Sequence, residues 1–98
     1  MHFCIYHIIP KPHHPNYSVI GGGYVHCWIN HADAEQAWAQ VEHHLDLADW
    51  IIQSREHSAP VSRADYTAAD EDERECFDKA QREEIALIFH IWPPEDRD

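Results

Sequence analysis

Basic side chains are scarce in this chain. Seven Lys and Arg stand against 18 Asp and Glu, and the formal charge with histidines neutral is −11. Such a surface repels phosphate backbones and anionic headgroups, so nucleic acid and acidic membranes are excluded as direct partners, and a basic protein partner is favoured. Long apolar runs are also missing. No segment approaches the roughly 20 apolar residues of a bilayer span. Met1-His2-Phe3-Cys4 lacks the basic start of a secretory leader, and Pro10, Lys11 and Pro12 cut short the apolar run that follows. Cysteine is limited to Cys4, Cys27 and Cys76, an odd number at wide spacing. That excludes a disulfide framework and leads us to expect a reduced, cytoplasmic protein whose thiols act as small buried hydrophobes. The three glycines are consecutive, Gly21 to Gly23. A phosphate-binding loop needs a strand before such a run, a helix after it and usually a lysine; here a strand follows, so that chemistry is excluded.

The 98 residues make a single domain over 1–98. A chain of this length buries roughly 60–65% of its unfolded surface, enough for one modest core without metal or disulfide. An aromatic content of 11% argues against disorder. Histidine is abundant: protonating all ten moves the formal charge from −11 to −1. Solubility is therefore expected to fall as the pH drops to about 5–6.

The glycine run leads into Tyr24-Val25-His26-Cys27-Trp28-Ile29-Asn30, which alternates at the period of a strand. Val25, Cys27 and Ile29 point to one side and read as core; Tyr24, His26 and Trp28 point to the other. Phe3 to Ile9 reads as a preceding strand, and Pro10 to Pro15 as a loop whose prolines forbid a ladder. The second strand is expected over Val19 to Asn30. From Asp33 to Leu47 the apolar residues Ala34, Ala37, Trp38, Val41, Leu45 and Ala48 form one helical stripe, with Asp33 and Gln36 at capping-box spacing. Trp50 to His57 reads as a third strand. Ser58 to Ala69 reads as a loop from which Val61 or Tyr66 folds back over a core edge. Asp70 to Glu84 reads as a second helix with an acidic first turn and i,i+4 pairs Arg74–Asp78 and Glu75–Lys79. Its apolar stripe is only Cys76, Phe77 and Ala80, so it is expected to sit less deeply than the first. Ile85 to Trp92 is a fourth strand, apolar on both sides, which suggests a central position. Glu84 stands where a turn glycine is usual. Pro93-Pro94 closes the strand, and Glu95 to Asp98 is a charged tail.

The order ββαβαβ predicts an α+β two-layer sandwich of ferredoxin-like type, a four-stranded sheet with both helices on one face. The other face then starts out bare. It collects Tyr24, His26, Trp28, Arg55, His57, His90 and Trp92, more aromatic surface than a monomer leaves in water without cost. Closure of this face by a second copy is the first expectation, and a ligand pocket on it the second.

Other chemistry is weakly signalled. There is no Cys-x-x-Cys or His-x-x-x-His pair. His26 and Cys27 point to opposite sheet faces, and His2-x-Cys4 supplies two ligands, which do not make a site. No metal, no cofactor and no catalytic residue is assigned. Cys27 falls on the core side, where thiols are inert, and Ser54, Ser58 and Ser62 lack a nucleophile-elbow setting.

The pattern Gly-x-x-His-Cys-Trp-Ile, an alanine-rich helix, Trp50, Tyr66, Phe77-x-x-Ala80 and a closing Trp92-Pro93 resembles that of small uncharacterised bacterial α+β proteins, over about Gly21 to Pro93. That resemblance implies no activity. In size and sheet-mediated dimerisation the chain also resembles dimeric α+β barrel monooxygenases. Asn30, Trp28 and His26 or His90 match residue types those enzymes use, but two strands precede the first helix here, and the likeness carries no catalytic roles. The expected function is a small non-enzymatic interaction protein that dimerises through the open sheet face. The alternatives are a ligand binder or enzyme using that face, and an acidic immunity- or inhibitor-like protein acting through Glu71, Asp72 and Glu73.

Overall fold

The structure, a computed structural model, describes residues 1–94. The first strand, β1 (His2–Pro10), alternates strictly: His2, Cys4, Tyr6, Ile8 and Pro10 are buried and the residues between them half-buried. Its antiparallel partner β2 (Gly22–Ile29) places Cys27 opposite Cys4 and Val25 opposite Tyr6, so Cys4, Tyr6 and Ile8 share a side with Val25, Cys27 and Ile29. Helix α1 (Ala34–Leu47) covers that side. Its start is fixed by Asp33, whose carboxylate accepts the Gln36 backbone N–H at 3.1 Å, and its buried stripe is Ala37, Val41 and Leu45. Together with Ile20, Ile29 and Trp50 these side chains make one core cluster. Each fully buried Val, Leu or Ile in it contributes about 1.5–3 kcal/mol.

Strand β3 (Trp50–Pro60), helix α2 (Glu71–Glu83) and strand β4 (Ile85–Trp92) complete the chain. The sheet order is β3-β1-β2-β4, with every neighbouring pair antiparallel. The protein is thus α+β, with a four-stranded antiparallel sheet and two helices. Among the described residues no helix is long and apolar enough to cross a membrane. The expected tail, Glu95 to Asp98, lies outside the described residues.

Three expectations require correction. The helices do not share a face. Phe77 and Ala80 of α2 pack with Trp28, Ala86 and Tyr66, and Met1, Phe3, Val61 and Ile88 border this second cluster, on the side of the sheet away from α1. The physical reason is that β1 and β2 are apolar on both sides: Trp28 is fully buried and needs a cover that the α1 side cannot give it. The arrangement is helix–sheet–helix rather than a ferredoxin-like two-layer sandwich. Second, β4 is an edge strand, not a central one. Its first half is flanked by both helices, whereas Phe89 to Trp92 are exposed. Third, β3 does not keep its period of two. Its register against β1 skips Glu56 and Gln53, so Arg55 and His57 fall on opposite sides of the sheet. The strand also runs on through Ser58 to Pro60, where the sequence predicts a loop.

The glycine run has a packing role. All three glycines have ordinary negative φ. A Cβ on Gly23 would lie 2.8 Å from the His90 carbonyl oxygen, and one on Gly21 would lie 2.6 Å from that of Pro93. The start of β2 therefore accepts β4 only because it lacks side chains. The strand is correspondingly shorter than expected, since Tyr17–Val19 form a 3-10 turn. The turn from α2 into β4 passes through Glu84 at φ 76, ψ −32, a conformation that favours glycine.

Candidate functional site

Helix α2 covers only one end of its sheet face, because its apolar stripe is short. Beyond that end β1, β2 and β4 present a continuous array of rings. Register sets the array: His7 lies opposite Tyr24, and Tyr24 opposite His90. The His7 and Tyr24 ring centroids are 5.4 Å apart, Tyr24 and Trp92 5.4 Å, and His7 and Trp92 5.8 Å. A second group runs alongside, with His26 and His90 at 4.7 Å and Phe3 edge-on to His26 at 5.6 Å. Phe3 also meets His57 at 5.9 Å, which carries the array to the β3 edge. Tyr24 remains 40% and Trp92 37% exposed.

Of the seven expected site residues, Tyr24, His26, His90 and Trp92 come together here, with His57 at the border. Trp28 does not face outward. It lies beneath α2, and its indole Nε1 donates to the Tyr66 hydroxyl at 2.7 Å. Tyr66 thus folds back over a core edge, as expected, from the 3-10 turn Arg63–Tyr66. Arg55 is displaced by the bulge to the α1 side, where its guanidinium lies 3.5 Å over the Trp38 ring and 3.6 Å from the Glu42 carboxylate. Glu42 also accepts the Tyr6 hydroxyl at 2.9 Å, and the Trp38 indole donates to Ser58 Oγ at 2.8 Å. Burial first, and the Glu42 carboxylate second, push the Tyr6 phenol far above its ordinary range. This polar network seals α1 to β3 and offers no open site.

His7 was missed, together with Phe3 and Ile5. The signal was the alternation of β1, whose odd residues must share a side with Tyr24 and His26 once β1 and β2 pair. Next to the array, a cleft of about 170 Å³ lies between the sheet and the α2 N-terminus, with His26, Ile88 and His90 on one wall and Asp70, Asp72 and Glu73 on the other. Burial, and to a lesser degree repulsion from His90, lowers the His26 pKa below the ordinary histidine value. Its imidazole is therefore neutral at physiological pH.

The thiols are not poised to react: burial raises Cys4, Cys27 and Cys76 above the ordinary cysteine value. Other histidines have local tasks. His2 Nδ1 is 2.9 Å from the His31 carbonyl, and His13 is 2.8 Å from Asp49. Among the described residues no group of three or more His, Cys, Asp or Glu converges as a metal site would require. Comparison with known proteins finds no matching family model, no matching curated protein and no matching solved structure.

Proposed function

We propose that this protein is a small non-enzymatic interaction module that associates with a second copy of itself through the part of the sheet that α2 leaves open. One observation carries the reading: the ring array on one face and Phe89 and Ile91 on the other meet along the second half of β4, leaving that end of the sheet half-exposed and without formal charge on a chain of formal charge −11. The α2 N-terminus beside it is acidic, with Asp70, Asp72 and Glu73, so the patch is where two such chains approach with least repulsion. Aromatic rings also contribute much contact area at low cost in side-chain entropy, which suits them to interfaces. Sedimentation across micromolar concentrations at neutral pH tests it. The expected result is a reversible dimer that Ile91→Ser with Trp92→Ser converts to a folded monomer. A wild-type chain that stays monomeric overturns the reading.

The cleft beside His26 and His90 favours a second reading, a pocket for a small ligand that pairs with a neutral imidazole and nearby carboxylates. It requires ligand-dependent shifts of the His26 and His90 ring resonances that His26→Ala abolishes while the fold persists.

A further inference from the structure

The two edges of the sheet differ in a way that bears on how copies meet. At the β3 edge the strand carries Arg55, Glu56 and His57, is broken by two register shifts and ends at Pro60. Charge, bulges and proline are the devices that stop an edge from pairing. At the β4 edge, Ile85-Ala-Leu-Ile-Phe-His-Ile-Trp92 runs eight residues in unbroken register with β2 and carries no formally charged side chain. Phe89 is 40% and Ile91 52% exposed. An uninterrupted, apolar, uncovered edge is a template for another strand.

The backbone phase adds detail. The Asn30 N–H donates to the Glu84 carbonyl at 2.7 Å, and Asn30 and Glu84 extend the β2–β4 register. In an antiparallel ladder bonded and non-bonded pairs alternate. The even residues of β4 therefore point their backbone groups at β2, whereas Leu87, Phe89 and Ile91 point theirs at the open edge. Beside the first half of that edge lies a groove of about 250 Å³ lined by His44, Lys79, Glu83, Ile85, Ala86 and Leu87. The groove flanks the half of the strand that the helices border, and the exposed side chains occupy the other half.

These features are complementary under a two-fold axis. Resting on the self-association proposed above, we infer that its dimer is built strand to strand: β4 pairs antiparallel with the β4 of a second copy, centred on Phe89, to give a continuous eight-stranded sheet. In that register Phe89 faces its own counterpart and Ile91 of each copy lies opposite Leu87 of the other, beside the groove. About six new backbone hydrogen bonds form, one pair at each of the three facing positions. Phe89, Ile91 and Trp92 together offer on the order of 250 Å² of exposed side chain per copy. With the strand backbones and groove walls of both copies the buried surface reaches the order of 1,000 Å², the lower limit for a specific association. The axis is perpendicular to the sheet, so the ring arrays of the two copies lie side by side on one face.

Amide exchange combined with sedimentation tests the pairing. Raising the protein concentration is expected to slow exchange at Leu87, Phe89 and Ile91 by at least about tenfold, through burial in the dimer. The amides of Ile88 and His90, already bonded to β2, should change far less. Ile91→Lys should weaken association at least about tenfold without altering the circular dichroism spectrum, since an edge lysine opposes pairing. A dimer whose Leu87, Phe89 and Ile91 amides exchange freely, and which Ile91→Lys leaves intact, overturns strand pairing while leaving self-association standing. A monomer overturns both. A monomer that protects the same amides only when mixed with a lysine-rich extended peptide overturns the second copy in favour of a basic strand.

Discussion

The hydroxyl of Tyr66 holds the cover of the second core cluster in place, and Tyr66→Phe isolates its contribution. Trp28 is fully buried, and its indole N–H donates to the Tyr66 oxygen at 2.7 Å. The substitution keeps the ring, which meets Phe77 at 5.0 Å, and removes only the acceptor. A buried donor left without a partner costs about 1–3 kcal/mol. Some relaxation toward water is open to it, because Tyr66 sits near the surface at 9% exposure. The expected loss is therefore about 1–2 kcal/mol. For a domain of this size 1 kcal/mol moves the melting temperature by about 4–8 °C, so the shift should be roughly 5–15 °C. Urea unfolding followed by circular dichroism measures it, at one fixed protein concentration, because any self-association adds to apparent stability. Trp28 fluorescence should redden in the same variant as its environment becomes wetter. A change below about 0.3 kcal/mol, inside the range of ordinary surface substitutions, would falsify the claim that this bond closes the α2 side of the sheet.

Glu84→Gly should stabilise the protein by about 0.5–1 kcal/mol, since glycine adopts positive φ without strain; an unchanged urea midpoint contradicts the strained turn. Gly23→Val should destabilise by roughly 1–3 kcal/mol, because its Cβ meets backbone at 2.8 Å. Backbone exchange should show the loss concentrated in Phe89 to Trp92. Burial and His90 hold the His26 pKa below its unfolded value, so its contribution to stability is complete above the ordinary histidine value of about 6.5 and is lost as the pH falls through the depressed folded value. His90, Asp70, Asp72 and Glu73 share its cleft, and His26→Gln should flatten this part of the stability profile; an identical profile in the variant removes His26 as its source.

The sequence was most legible where a single physical requirement acted alone. Asp33 to Leu47 needed only a 3.6-residue stripe and a carboxylate cap, and the structure has both. The limits of β4 followed from the helix before it and Pro93-Pro94 after it. The unusual backbone at Glu84 was signalled by the missing turn glycine. Arg55 was misplaced because bulges leave no pattern in a polar strand: Gln53 to His57 would read the same in any register. Trp28 was misread because an aromatic residue alternating with Tyr24 and His26 carries no mark of whether a helix lies above it. The mark lay elsewhere, in the apolar stripe of Cys76, Phe77 and Ala80, which needed a surface that α1 had already taken from the other side.

The edge position of β4 is the more instructive departure from its composition. A strand apolar on both sides reads as central, since a central strand needs two covers. The structure accounts for half of this composition. Ile85 and Leu87 border the α1 cluster, and Ala86 and Ile88 join the α2 cluster. Phe89 stacks on Trp50 at 5.5 Å, but Ile91 remains 52% exposed at an edge with free backbone groups, and no contact within the described residues asks it to be apolar. Gly21 to Gly23 give up every side chain so that this half-strand stays seated on β2. That sacrifice weakens β2 on the usual glycine scale, and it is compensated if the seated residues make contacts of their own. A strand with central composition at an edge position then has the composition suited to the sheet it completes, whose next strand comes from a second copy.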